Sequence, residues 1–173
     1  MSELRACSDV VRHRLRSEAV DDDSEVSLVT CGHEPRATLV VTDADGLFGL
    51  ALDTVRLLQI PGLVPAMTVV GVGYPGATSI LDTVERRNRD LTPTSSPAFP
   101  GSGGGEAFAA FLRHELFPWL EHRSALADDR IYFGHSLGGL FGTWILLTRP
   151  TSFDRYILSS PSLWWDENHI FDV

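Results

Sequence analysis

The chain has 173 residues, of which 43% are hydrophobic and 21% are charged, proportions that are typical of one compact domain. No stretch reaches the roughly 18 apolar residues of a membrane span, and residues 1–10 lack the apolar core of a signal peptide, so the sequence predicts neither membrane insertion nor secretion. A net charge of −9 has the wrong sign for neutralising a phosphate backbone, which argues against nucleic acid as a partner.

The chain contains two cysteines, Cys7 and Cys31, which lie far apart and show no metal-binding spacing. They predict no disulfide framework and no metal site, and we expect two reduced thiols in a cytoplasmic protein. No cofactor motif stands in a convincing context, so we expect no cofactor. The oligomeric state cannot be read from the sequence.

Strands and helices alternate along most of the chain. The pattern predicts a hairpin of strands 9–20 and 25–30, with the acidic residues 21–23 in its turn, and then the strand Ala37–Val41. Further elements are predicted in the order helix 47–60, buried strand 67–72, irregular active-site loop 73–105, amphipathic helix 106–123, strand 131–133, helix 139–147 and strand 156–158. This order indicates an α/β fold with a mostly parallel central sheet, flanking helices and an antiparallel N-terminal hairpin.

Residues 134–138 (GHSLG) fit the pattern G-x-S-x-G between a predicted strand and a predicted helix. A serine on such a sharp turn is exposed above the sheet edge as a nucleophile, and its flanking glycines allow the strand and the helix to approach closely. The alternative is a glycine-rich helix start with Ser136 as a capping residue.

Residues 71–76 (GVGYPG) also fit G-x-G-x-x-G after a strand, the pattern of dinucleotide-binding folds. The phosphate site of that fold needs a helix that opens within the motif, but Pro75 removes a backbone donor, and a loop rich in proline and serine follows instead of a second strand that ends in an acidic residue. We therefore do not expect a nicotinamide cofactor.

Several segments together resemble the α/β-hydrolase esterases that include the ferric-siderophore trilactone esterases. In chain order these segments are 42–48, 70–75, 86–93, 103–105, 134–139 and 160–165. The resemblance implies hydrolysis of a small-molecule carboxylic ester through an acyl-enzyme on Ser136. It also implies an oxyanion hole formed by the amide of Leu137 and a second amide, from Gly46 or Leu47.

The triad histidine of such hydrolases follows later strands, whereas this chain ends one predicted strand after Ser136. We therefore expect residues 1–173 to form a single, incomplete domain that lacks the last strands and helices and shows little ester turnover. His135 points away from Ser136, and His169 could act as the base only if the chain doubled back. Asp166 could serve as the triad acid only beside a histidine.

Two groups of residues are candidates for substrate binding. Arg87 and Arg89, with Arg86, could bind an anionic or metal-chelating substrate, or an arginine could pair internally with Asp90 and fix the long loop. The two adjacent tryptophans also allow a binding role or a structural role. Trp164 or Trp165 could form the wall of an acyl pocket, or both could cover the end of the sheet.

Three functions remain open at this point. The first is a serine esterase, and the second is an acyltransferase that uses the same nucleophile. The third is a non-catalytic remnant or binding module.

Overall fold

Six strands form a single sheet in the structure, a computed structural model that describes residues 7–78, 80–123 and 125–173. The strands are β1 (Val11–Ser17), β2 (Asp22–Cys31), β3 (Ala37–Val41), β4 (Met67–Gly73), β5 (Asp129–His135) and β6 (Arg155–Ser159). Their order across the sheet is β1-β2-β4-β3-β5-β6. β2 pairs antiparallel with β1 and β4, whereas β4, β3, β5 and β6 are parallel to one another. The predicted mostly parallel sheet with an antiparallel entry hairpin is confirmed.

Helices connect the parallel strands. They are α1 (Ala44–Gln59), α2 (Val84–Asp90), α3 (Gly105–Phe111), α4 (Phe117–Glu121) and α5 (Leu137–Thr148), and a short turn, α6 (Trp165–Asn168), follows β6. A π-helical segment, Leu112–Leu116, joins α3 to α4, so the predicted amphipathic helix 106–123 is continuous but locally widened. Short 3₁₀ segments lie at Ile80–Thr83, Pro150–Ser152 and His169–Asp172. Within the described residues, no helix is long and apolar enough to cross a membrane.

Alternate residues of the central strands belong to two different hydrophobic cores. Val40 packs in one core with Phe141 of α5, whereas the next residue, Val41, packs in the other core with Leu52 of α1. Because successive side chains of a strand point to opposite faces, the two helices cover opposite faces of the sheet.

The hairpin turn and the long loop differ from our predictions. The turn occupies residues 18–21, and Asp22 and Asp23 already belong to β2, so only one residue of the acidic cluster lies in the turn. The segment 73–105 is not wholly irregular, because it contains α2. The end of this segment is fixed by the Gly103 N–H, which donates to Thr92 Oγ1 at 2.8 Å.

The prediction of two reduced cysteines is wrong in this structure. Cys7 and Cys31 form a disulfide with an S–S distance of 2.07 Å, and the two residues also form an isolated antiparallel β-bridge. No sequence motif predicts this pairing, because backbone pairing between the two segments, and not a cysteine spacing, brings the two residues together. The prediction of a cytoplasmic location rested partly on reduced thiols and loses that support.

Candidate active site

Ser136 lies in the sharp turn between β5 and α5, with φ 57° and ψ −114°. This backbone conformation is strained for a residue with a Cβ. Backbone hydrogen bonds hold it in place: the Ser136 N–H donates to the Ser159 carbonyl at 3.0 Å, and the Ser136 carbonyl accepts from the amides of Leu140 (2.9 Å) and Ser162 (3.0 Å). The residue is partly exposed at the carboxyl end of a parallel strand. This is the strand-to-helix turn that the sequence predicts.

The two glycines of the motif are required by close backbone approach. A Cβ on Gly134 would lie 2.3 Å from the Gly138 carbonyl oxygen, and a Cβ on Gly138 would lie 2.6 Å from Thr42 Oγ1. A Cβ at either position would require the surrounding atoms to move, so glycine at both positions allows the turn between β5 and α5 to close this tightly.

The amides that could bind an oxyanion are those at the first residues of helices, which have no carbonyl acceptor inside the helix. Leu137 holds that position in α5 and Ala44 holds it in α1. The Gly46 and Leu47 amides instead donate to the Asp43 carbonyl, at 3.0 and 3.1 Å. Our prediction that Gly46 or Leu47 supplies the second amide therefore disagrees with the structure, because α1 begins three residues earlier than predicted.

A buried ion pair lies beside this turn. The Asp43 side chain is 0% exposed and accepts hydrogen bonds from Arg87 Nε (3.0 Å) and Nη2 (2.8 Å). A Cβ on Gly138 would lie 3.6 Å from Asp43 Oδ2, which places the pair next to the elbow. Burial acts to lower the pKa of Arg87, but the hydrogen bond and the charge of Asp43 raise it overall.

The other arginines of α2 also have internal partners. Arg89 donates to Asp90 from Nε (2.6 Å) and Nη2 (3.1 Å) and reaches Asp22 at 3.2 Å, and Arg86 lies 3.3 Å from the same Asp22 carboxylate. Burial raises the pKa of Asp90, although Arg89 opposes the shift. Arg89 thus forms the internal pair with Asp90 that was the second of our two alternatives, whereas Arg87 also pairs internally but with Asp43. For both arginines these contacts favour internal pairing over substrate binding.

The two tryptophans have different environments. Trp165 is 2% exposed, donates its Nε1–H to the Thr94 carbonyl at 3.1 Å and packs 4.9 Å from the ring of Phe99. Trp164 is 59% exposed, with its ring 6.4 Å from the same phenylalanine. Trp165 is thus a buried residue that packs against the loop containing Thr94 and Phe99, whereas Trp164 remains a candidate for a substrate contact.

The side chain of Ser136 contacts a second serine and not a histidine. Ser136 Oγ lies 3.1 Å from Ser162 Oγ, and no histidine in the described ranges is hydrogen-bonded to it. His135 Nδ1 instead lies 3.3 Å from Ser159 Oγ, and His169 is partly buried in the 3₁₀ segment that follows α6. Sequence reasoning missed Ser162, although it lies within segment 160–165, which carried part of the resemblance.

Sequence reasoning also missed Asp45, in the first turn of α1. Burial raises its pKa to about 6, although the Tyr74 amide donates a hydrogen bond to it at 3.0 Å, and the charges of Glu25 and Asp43 add to the rise. The sequence does not mark Asp45 as unusual, because exposed helices also commonly carry an acidic residue in their first turn.

Residues 71–76 serve the packing of α1. A Cβ on Gly71 would lie 2.5 Å from Phe48 Cδ2, and a Cβ on Gly73 would lie 2.8 Å from Asp45 Oδ1. These glycines therefore make room for α1 side chains. No group of three or more histidine, cysteine or carboxylate side chains in the described part of the chain could hold a metal ion.

Sequence comparison matches residues 57–171 to the family described as "Putative esterase". The siderophore triacetylfusarinine C esterase of Aspergillus fumigatus is 36% identical over 139 residues, which cover 78% of this chain and 47% of that protein. The ferri-bacillibactin esterase BesA of Bacillus subtilis is 35% identical over 147 residues, which cover 76% of this chain and 50% of BesA. The chain thus spans about half the length of these curated relatives.

Solved structures agree on the fold. The BES protein from Bacillus cereus superposes with a TM-score of 0.84 at 29% identity, over 95% of this chain and 66% of that chain. The siderophore hydrolase EstA from Aspergillus nidulans gives a TM-score of 0.81 at 26% identity, over 94% of this chain and 61% of that chain. The six-stranded sheet is thus of the α/β-hydrolase type, and the chain belongs to the esterase family that its sequence matches.

Proposed function

We propose that this chain hydrolyses carboxylic esters through an acyl-enzyme on Ser136. The observation that carries the proposal is the strained, partly exposed serine at the carboxyl end of β5, in a chain of an esterase family. A buried structural serine has no need of such a turn, whereas a nucleophile must stand clear of the sheet edge.

The reaction has two stages. Ser136 Oγ attacks the ester carbonyl carbon while its proton passes to a base, and collapse of the tetrahedral intermediate expels the alcohol, which takes up that proton. Water then attacks the acyl carbon, releases the carboxylic acid and returns the proton to Ser136. The amides of Leu137 and Ala44, each at a helix N-terminus, are the donors that we assign to the oxyanion.

The substrate class that we propose is a siderophore ester. The support comes from the functions named for two relatives, an esterase of triacetylfusarinine C and an esterase of ferri-bacillibactin. The exposed Trp164 offers an aromatic surface near the elbow for such a substrate. Incubation with ferric bacillibactin or ferric triacetylfusarinine C, followed by mass spectrometry, should show ring-opened ester products. Hydrolysis of simple chromogenic esters alone would contradict this substrate class.

The nucleophile is tested by labelling with a fluorophosphonate and by turnover of p-nitrophenyl butyrate. We expect a phosphonyl adduct on Ser136 by peptide mass spectrometry, low ester turnover by the unchanged chain, as the sequence predicts, and loss of both the label and that turnover in Ser136→Ala. Ser152→Ala, at the opposite end of α5, is the matched control and should react like the unchanged chain. Absence of the adduct from the unchanged, folded chain would contradict the proposal.

His169→Ala tests the base. Turnover lost in both His169→Ala and Ser136→Ala would identify His169 as the group that takes the proton. Turnover lost only in Ser136→Ala would point to a base outside the described residues or on another chain.

A further inference from the structure

Ser162 contacts the proposed nucleophile through both its backbone and its side chain. Its N–H donates to the Ser136 carbonyl at 3.0 Å, and its Oγ lies 3.1 Å from Ser136 Oγ. Ser162 is 5% exposed, so its hydroxyl is largely shielded from competing water, whereas Ser136 remains partly exposed. We propose that Ser162 is a positioning residue that fixes the side-chain rotamer of Ser136 for attack, an inference that rests on the proposed function.

The direction of the hydrogen bond follows from the chemistry. When Ser136 attacks, its own proton must point toward the base, so Ser136 Oγ can only accept from Ser162. The hydrogen bond from the Ser162 hydroxyl then uses one lone pair of Ser136 Oγ. It thereby orients the other lone pair of Ser136 Oγ toward the substrate.

The segment that carries Ser162 is rigid enough for this role. Its carbonyl accepts from the Trp165 N–H at 3.1 Å, and the Trp165 indole is fixed in turn by its bond to the Thr94 carbonyl. On the other side, a Cβ on Gly139 would lie only 2.9 Å from Pro161 Cα, which shows how closely this segment packs against the start of α5. The position of the Ser162 hydroxyl is therefore set by the same contacts that build the elbow.

The test compares Ser162→Ala, Ser162→Thr and the control Ser152→Ala. For each variant we would measure kcat and KM for p-nitrophenyl butyrate and, with a fluorophosphonate, the saturating rate of Ser136 labelling and its half-saturating concentration. Loss of one hydrogen bond that is made to the nucleophile predicts that Ser162→Ala lowers kcat and the labelling rate about tenfold. KM and the half-saturating concentration should stay unchanged, because substrate contacts remain.

Ser162→Thr keeps the hydroxyl and should recover most of the rate, a rescue that a purely structural role would not show. Ser162→Ala should unfold at the same temperature as Ser152→Ala, because its backbone bonds remain. Labelling of Ser136 at an unchanged rate in Ser162→Ala would overturn the role of Ser162 and leave the proposed function intact. No labelling of Ser136 in the unchanged chain would overturn both.

Discussion

Three of the eight non-glycine residues with positive φ in the described part of the chain lie just after parallel strands, at the carboxyl edge of the sheet. Asp43, Ser136 and Ser160 closely follow β3, β5 and β6, and their φ angles are 53°, 57° and 43°. A non-glycine residue with positive φ costs on the order of 1 kcal/mol or more, so surrounding contacts must impose it. In open α/β sheets this is also the edge where ligands bind. The strain therefore coincides with the proposed site.

The ion pair between Arg87 and Asp43 should matter far more than a surface pair. Arg87→Met leaves the fully buried Asp43 carboxylate without a partner, which costs about 3 to 5 kcal/mol of unfolding free energy. Arg12→Met is the matched control, because Arg12 is 70% exposed beside Glu25, and it should cost less than about 1 kcal/mol. Urea denaturation of both variants measures the difference, and equal losses would contradict the buried pair.

Asp45 should make the folded state sensitive to pH. Its pKa is raised from 3.8 to about 6, chiefly by burial, so the folded state binds a proton more tightly than the unfolded state. The contribution of Asp45 to stability therefore falls as pH rises from about 4 to about 6 and is constant above that range.

The variant Asp45→Asn should remove this part of the pH dependence while it retains an oxygen acceptor for the Tyr74 amide. Urea denaturation of both proteins between pH 4 and 7 is the measurement. Parallel stability curves for the two proteins would contradict a raised pKa at Asp45.

At the scale of elements, α5 packs tightly against the sheet. A Cβ on Gly142 would lie 2.3 Å from the ring of Tyr132 and 2.5 Å from Leu158 Cδ2. Gly142→Ala should therefore destabilise the protein by about 1 to 3 kcal/mol through overpacking. Gly49→Ala is the matched control in α1, where a Cβ meets nothing within 4 Å, and it should stabilise by up to about 1 kcal/mol. Thermal unfolding distinguishes the two, and a neutral Gly142→Ala would contradict the packing.

The elements that the sequence predicts well are those with strong periodicity. β4 is predicted by a continuous apolar run, and the helices α3 and α4 are predicted by an amphipathic stripe. Both patterns arise because buried positions are apolar, so they are visible in the local sequence. α2 was missed because most of its residues, VERRNRD, are charged, and their ion pairs with Asp43 and Asp22 are long-range contacts.

The start of α1 explains the error at the oxyanion site. Apolar spacing placed the helix start at Leu47, whereas the structure starts the helix at Ala44, after the left-handed Asp43. The Asp43 conformation accompanies the buried contact with Arg87, a residue 44 positions away. Local sequence pattern cannot report such a contact, so the sequence predicts a loop up to Gly46 and a helix from Leu47, whereas both residues lie in the first turn of α1.

At the scale of the whole molecule, the site joins parts of the chain that are distant in sequence. Ser136 bonds to Ser162 across 26 positions, and Asp43 bonds to Arg87 across 44. The sheet supports both contacts, because the parallel strands bring their carboxyl ends to one edge. Stability of the sheet as a whole is therefore a condition for the geometry of the site.

The disulfide in the N-terminal part of the chain is expected to contribute to the stability of the sheet. Cys7 and Cys31 are separated by 24 positions. A cross-link that closes a loop of this length lowers the conformational entropy of the unfolded chain and so raises its free energy by about 3 kcal/mol. Reduction should lower the free energy of unfolding by about that amount. Cys7→Ser should show a similar loss while keeping the buried Cys31 side chain in place. Urea denaturation with and without reductant should show no further effect of reductant on Cys7→Ser. Two free thiols in the folded, unreduced protein, counted by alkylation and intact mass, would contradict the bond.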